Sequence, residues 1–327
     1  VASTTAETDR GRTAERPGDI PAPGWWDITW RVFKRFGNDN VTLVSGGLAM
    51  YALLSVFPGL AAAVSIYGIF SSPRDVAQHM QTFAGVLPPG VWEIFSRELQ
   101  SLTSRTTSSL SVAAAVGVVL ALWSARSAMS ALMSASNIAY GEREKRGFFK
   151  LILISLALTI GAILGFLLML LLGVAIPLAL KLLGTAVWVQ IVADVVQWVL
   201  LWAFAVLGLA VVYRYAPARE PARWRWITPG SALAATLWLG ASALFAIYVR
   251  TFANYGKTYG ALGGVIALLM WFYLSSVIMV LGAEVNAEME RQTRKDTTSG
   301  PAEPLGERGA YAADTVGPTA KDQGKKR

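Results

Sequence analysis

The chain has 327 residues, of which 54% are hydrophobic and only 15% charged, whereas a soluble domain carries about 25% charge. That deficit and a mean hydropathy of +0.45 exclude an ordinary water-soluble globule. A net charge of +8 leaves two readings of the basic excess, a nucleic-acid surface or the loops of a membrane protein, while the absence of cysteine excludes disulfides and thiolate metal sites.

Residues 1–24 are polar, Arg-containing and Pro/Gly-rich, which reads as a disordered tail without the apolar core of a cleavable signal peptide. The first apolar segment is then expected to serve as an uncleaved anchor. Residues 25–42 differ. Trp26, Trp30 and Phe33 recur at helical spacing with Arg31, Lys34 and Arg35 beside them. This predicts an amphipathic interfacial helix, aromatic side towards lipid and cationic side towards headgroups.

A six-helix membrane domain is expected over residues 43–290. A helix crossing a hydrocarbon core of about 30 Å needs about 20 apolar residues. The predicted spans are Leu43–Phe70, bent near Pro58; Leu110–Leu132; Leu151–Leu180; Val187–Tyr213; Ile227–Val249; and Tyr259–Ala283. Between the first two, residues 71–109 form a long connection. It has two apolar stripes, through Val76, Met80, Phe83 and Leu87 and through Val91, Phe95, Leu99 and Leu102, parted by Pro88-Pro89. Two short external helices are expected there. Residues 291–327 turn polar and read as a second disordered tail.

Lysine and arginine sort by side. Alternate connections and both tails hold 22 of them, and the other side holds six. The positive-inside rule places both termini in the cytoplasm. The basic excess is thereby a topology signal, and no nucleic-acid site is needed to explain it.

Ionisable residues inside a membrane are functional hypotheses by default. Arg126 lies within the second span, and Ser130, Ser134 and Asn137 follow on the same helix face. Such a stripe faces a partner helix or an aqueous cavity. Arg126 either snorkels and pairs structurally or meets a substrate. Asp194, in the fourth span, is either interfacial or hydrogen-bonded within the bundle. Tyr51, Ser55 and Pro58 share a face of the first span and line either a pathway or a helix contact. Glu284, Asn286, Glu288 and Glu290 mark the end of the last span, where the carboxylates either pair with Arg143, Arg146 or similar residues or couple to a proton or cation.

Three blocks carry a resemblance: GLAMYALLSVFPG (Gly47–Gly59), SNIAYGEREKRGFFK (Ser136–Lys150), and Tyr259–Glu290, whose G-A-E-x-N core is Gly282, Ala283, Glu284 and Asn286. Together they resemble the YihY/BrkB family of bacterial inner-membrane proteins over residues 35–290. The resemblance implies a six-helix membrane protein and little chemistry. The family has also carried a ribonuclease BN label, against which the residues argue. Metal-dependent nucleases cluster His, Asp or Glu ligands, and the one histidine, His79, falls in the predicted external loop.

The sequence therefore predicts an all-α polytopic protein of the bacterial inner membrane, not an enzyme, with no cofactor and no metal. It reads as a transporter or lipid-handling protein, the rival being a non-transporting scaffold for envelope assembly. The expected partners are anionic headgroups at the cytoplasmic face and a second copy of the chain.

Overall fold

The computed structural model describes residues 10–70, 107–182, 186–252 and 261–320. Seven helices carry it: α1 (Ala22–Asn38), α2 (Val41–Phe70), α3 (Thr107–Tyr140), α4 (Phe148–Leu182), α5 (Val187–Tyr215), α6 (Trp224–Phe252) and α7 (Ala261–Glu290). A short turn of helix, α8 (Tyr311–Asp314), follows. Among the described residues the one β feature is an isolated bridge between Ala222 and Thr298.

Long uncharged runs become helices because only a helix satisfies every backbone N–H and C=O within one segment in lipid. Five helices, α3 to α7, are long and apolar enough to cross a bilayer, and α1 and α2 together form a sixth candidate. Their outward faces are apolar: Leu153, Leu164 and Trp198 are each more than 60% exposed. Such faces suit hydrocarbon and not water, and the chain is an all-α polytopic membrane protein. Of the predicted external helical segment, 71–109, residues 71–106 lie outside the described residues and 107–109 open α3.

α1 and α2 meet at a sharp turn. Asn40 takes φ +50°, the left-handed region that asparagine tolerates better than most residues. Its N–H bonds back to the Gly37 carbonyl at 3.2 Å and its own carbonyl accepts from Val44 at 3.0 Å. These two bonds close one helix and open the next.

The described residues fall into two compact units. The first lies within Val1–Val44, Leu132–Leu239 and Val277–Arg327. Its core joins Ala14, Ile20, Ile28, Val32, Trp226 and Met289, and a second cluster joins Val41, Ala135 and Val280 with Phe36 against them. Full burial of Ile28 or Met289 contributes about 1.5–3 kcal/mol each. Trp202 on α5 donates to the Thr236 hydroxyl on α6 at 3.0 Å. The second unit lies within Ser45–Ala131 and Gly240–Ser276. There Trp271 on α7 donates to Ser242 on α6 at 3.3 Å, and Leu48, Ala49 and Leu53 are buried.

The described parts of the two expected disordered tails differ from that expectation. Residues 10–21 and 291–320 are folded, and they fold on each other. The Arg12 guanidinium, 6% exposed, donates to the carbonyls of Arg291, Gln292 and Gly317, the last at 2.6 Å. Thr293 donates to the Ala14 carbonyl at 2.7 Å, and Gln292 to the Arg10 carbonyl at 2.7 Å. Arg308, 5% exposed, gathers the carbonyls of Arg294, Lys295, Glu303 and Ala313. Composition reads each tail alone as too polar to fold. Order comes from partners some 280 residues away in sequence.

Candidate functional site

The last two turns of α7 read GAEVNAEME, and Glu284, Asn286, Glu288 and Glu290 are all fully buried. Four residues make about one helical turn, so 284 and 288 share one face and 286 and 290 another. Each face has its own partners.

The first face meets α1. Glu288 pairs with Arg31, which is 3% exposed and also donates to the Glu288 carbonyl at 2.9 Å and to Gln292 at 2.8 Å. Arg35 and Arg291 reach the other oxygen of Glu288 at 3.2 and 2.6 Å. Arg35 lies 3.7 Å from Glu284 and 3.1 Å from Asp39. Three carboxyl groups, of Asp39, Glu284 and Glu288, and three guanidiniums, of Arg31, Arg35 and Arg291, meet here. Neither Glu284 oxygen accepts a hydrogen bond among the described residues.

The second face meets the α5–α6 connection and α6. Arg219 grips Glu290 bidentately at 3.1 and 2.7 Å, Thr297 donates to the same carboxylate at 2.7 Å, and the guanidinium stacks 5.0 Å from the Tyr140 ring. Asn286 accepts from the Gly230 N–H at 2.9 Å. That N–H follows Pro229 inside α6, where the proline ring disturbs normal helical bonding. Tyr213 donates to the Met279 carbonyl at 2.7 Å. These contacts tie α5, α6 and α7 together around Gly282, where any side chain would strike Tyr213 and Ala234.

α3 ends into the same assembly. Gly141 adopts φ +69°, and Glu142 N–H returns to the Asn137 carbonyl at 2.8 Å, closing the helix with a left-handed cap. The Tyr311 ring leaves no room for a side chain at Gly141. Glu142 accepts from the Tyr311 N–H at 2.6 Å, which fixes the tail to this turn. Asn137 donates to Glu144 at 3.1 Å and accepts from the Ala218 N–H at 2.7 Å. Arg146 holds Glu144 at 2.7 Å through each of two nitrogens.

Hydrogen bonds from Arg146 bring the Glu144 carboxyl down to about 2. Its ordinary value is about 4.5, so the depressed group stabilises this turn above that pH. The contribution is lost as pH falls through about 2. The protection factors for hydrogen exchange in residues 141–147, rates taken relative to the intrinsic rate at each pH, are therefore expected to be flat between pH 7 and pH 5. Protection should drop only in strong acid, and Glu144→Gln should remove that acid dependence. A loosening centred at pH 4.5 would contradict the assignment.

The structure scatters the residues singled out from sequence. Glu284, Asn286 and Asn137 belong to the hub just described. Arg126 is half-buried in the second unit, 5.0 Å over the Trp123 ring, with Ser130 half-buried one turn on. Ser134 is exposed. Asp194 stands exposed on α5 among exposed Ile191, Val195 and Trp198. Tyr51 is half exposed, Ser55 donates to its own helix at the Ala52 carbonyl at 2.7 Å, and Pro58 lies inside α2.

Two expectations change. Arg31 and Arg35 do not face headgroups; they turn inward to α7, because buried Glu284 and Glu288 bind them more strongly than a hydrated surface does. The aromatic face of α1 does stay open, with Trp26 and Phe33 exposed. The partner of Glu288 is not Arg143 or Arg146: α1 and Arg291 take it, and Arg146 is held by Glu144. A matching signal was present in the sequence, since Arg31 and Arg35 share the four-residue step of Glu284 and Glu288. Among the described residues no three His, Asp or Glu side chains converge as a metal would need.

Comparison with known proteins agrees with this architecture. The profile of the family described as virulence factor BrkB matches residues 32–305. A Bacillus subtilis protein named ribonuclease-like protein YfkH is 34% identical over 80% of this chain and 95% of its own length. A UPF0761 membrane protein of Vibrio vulnificus is 27% identical over 81% of this chain and 83% of its own. One from Cronobacter sakazakii is 26% identical over 85% and 92%. No solved structure matches the chain.

Proposed function

Starting from the fact that the chain belongs to the virulence factor BrkB family of membrane proteins, we propose that it is a lipid-handling protein or transporter of the bacterial inner membrane, with both termini cytoplasmic. Arg126 carries the reading. It is a cation within the apolar run Ala115–Tyr140, a stretch suited to crossing a bilayer. Placing an arginine at the centre of such a helix costs about 2.5–3.5 kcal/mol on insertion scales. A contact with an anionic amphiphile would add to the contacts that Arg126 makes within the protein, the Trp123 ring among them. The 22 basic residues on one side support the orientation.

The ribonuclease-like name of one relative is not carried over. Acid–base cleavage needs a group free to take and give a proton at the substrate. Glu288 and Glu290 are instead enclosed by arginines. The scaffold reading keeps one observation on its side: the hub fastens helix ends to both tails and needs no moving part.

Full-length protein in vesicles containing a fluorescent phospholipid separates the two. An impermeant quencher reads how fast lipid reaches the outer leaflet. Wild type is expected to accelerate exchange, and Arg126→Ala to slow it about ten-fold, the equivalent of roughly 1.4 kcal/mol in the crossing step. Exchange no faster than in empty vesicles would end the lipid-handling reading and favour the scaffold.

A further inference from the structure

Beside the hub, within the first unit, a cavity of about 640 Å³ opens between the α3–α4 and α5–α6 connections. Its charged lining is Lys145, Arg146, Lys150, Arg214, Arg219 and Glu220. Some of these charges are already neutralised. Arg146 is held by Glu144, Arg219 by Glu290, and Lys145 lies 3.3 Å from Glu142. Two are not. Among the described residues no carboxylate pairs with Lys150 or with Arg214.

Arg214 is held for its position. One terminal nitrogen donates to the Ala222 carbonyl and the other to Ser299 at 3.0 Å. Its plane lies between the rings of Trp224 and Tyr215, at 4.8 and 5.6 Å. Its Nε is buried and donates to nothing among the described residues. The folded tail thus supplies an anchor, Ser299, to an arginine whose Nε–H is left unpaired among the described residues.

Lys150 lies in the first turn of α4, and Gly147 before that helix also lines the cavity. The N–H groups of a first turn have no helical acceptor, and they sit at the positive end of the helix dipole. They add to the field of the two cations. The surroundings set the depth: Phe148 and Phe149 are 69% and 84% exposed, and Tyr215 and Trp224 are exposed too. Exposed aromatics at helix ends mark the boundary between headgroups and hydrocarbon.

We infer that this cavity binds the phosphate of a net-anionic phosphate ester, either the headgroup of an anionic phospholipid or a free phosphate compound. The inference rests on the lipid-handling reading for its setting and deepens it by naming the headgroup chemistry.

The test uses full-length protein in mild detergent with equal phosphatidylglycerol and phosphatidylcholine, read by native mass spectrometry. Wild type is expected to retain phosphatidylglycerol over phosphatidylcholine. Lys150→Ala should lower that retention about five-fold, the worth of one cation near a headgroup. Arg214→Gln should lower it at least as much. Arg143→Ala, an exposed cation outside the lining, should leave it unchanged. Arg214 also supports local structure, so exposed Lys150 carries the decision. Displacement of the lipid by excess inorganic phosphate would assign the site to free phosphate, and resistance would assign it to the headgroup. Equal retention of both lipids, or Lys150→Ala matching Arg143→Ala, would overturn the inference. Flat vesicle exchange with a Lys150-dependent preference would end lipid movement and leave the binding site standing.

Discussion

Glu288→Ala is expected to lower stability by about 3–5 kcal/mol, the cost of breaking a buried ion cluster from one side. The carboxylate is fully buried and three guanidiniums reach it. Alanine leaves Arg31, which is 3% exposed, with an uncompensated charge and only neutral acceptors, the Glu288 carbonyl and Gln292 among them. Glu288→Gln keeps the shape and one acceptor oxygen, so its loss should be smaller. Thermal unfolding in detergent reads the size of the effect, and trypsin reads its place. With the cluster broken, Arg12 and Arg294 should be cut early, because both lie where the tails fold on α7. An alanine variant as stable and as protease-resistant as wild type would disprove a hub held by the ion pairs of Glu288.

Gly282→Ala is the second large effect expected. The added methyl would lie 2.5 Å from the Tyr213 hydroxyl and 2.7 Å from the Ala234 methyl. Neither distance is a contact that real atoms make, so α5 or α6 must move. Overpacking of this kind costs about 1–3 kcal/mol. Movement here would also stretch the bond from Gly230 to Asn286, since both helices are held by it. The partner variant Tyr213→Phe removes one clash and loses the bond to Met279. A double-mutant cycle should show positive coupling, the pair costing less than the sum. Strict additivity would mean that the two residues do not touch.

The membrane architecture was legible because it rests on local properties. A run without charge becomes a helix whatever lies beside it, and the spans were placed to within a few residues at most ends. The largest boundary differences are instructive. α3 runs on to Tyr140 and α7 to Glu290, well past their predicted ends at Leu132 and Ala283. Polar Ser136, Asn137, Glu284 and Glu288 looked like the edge of the bilayer. Asn137 and Glu288 find partners on other helices and loops, Ser136 bonds back to the Leu132 carbonyl of its own helix, and Glu284 lies 3.7 Å from Arg35. The tails failed for the same reason. The bonds between them are long-range, and composition cannot see a carbonyl of Gly317 waiting for Arg12.

Charge was legible in sum and illegible in detail. Counting arginines gives a side of the membrane, yet it treats Arg31, Arg219 and Lys150 alike. Burial separates them. Arg31 and Arg219 serve carboxylates inside the protein, and Lys150 lies exposed on a cavity. The G-A-E-x-N core likewise became interpretable once its neighbours were visible. Gly282 permits the approach, Asn286 completes α6 after its proline, and Glu284 shares Arg35 with Asp39.

The bonding of the segment before α1 to the segment after α7 sets an order of events during biosynthesis. Asp27 is made before the described spans, yet its bonds to Arg10 and to the Ala320 N–H need a segment made after all of them. Until then the arginines of α1 have only water and headgroups for company. The hub is thus a late closure, reached after every span has been inserted. A nascent chain halted before α7 would carry its helices across the bilayer while its N-terminal segment stayed exposed to proteases.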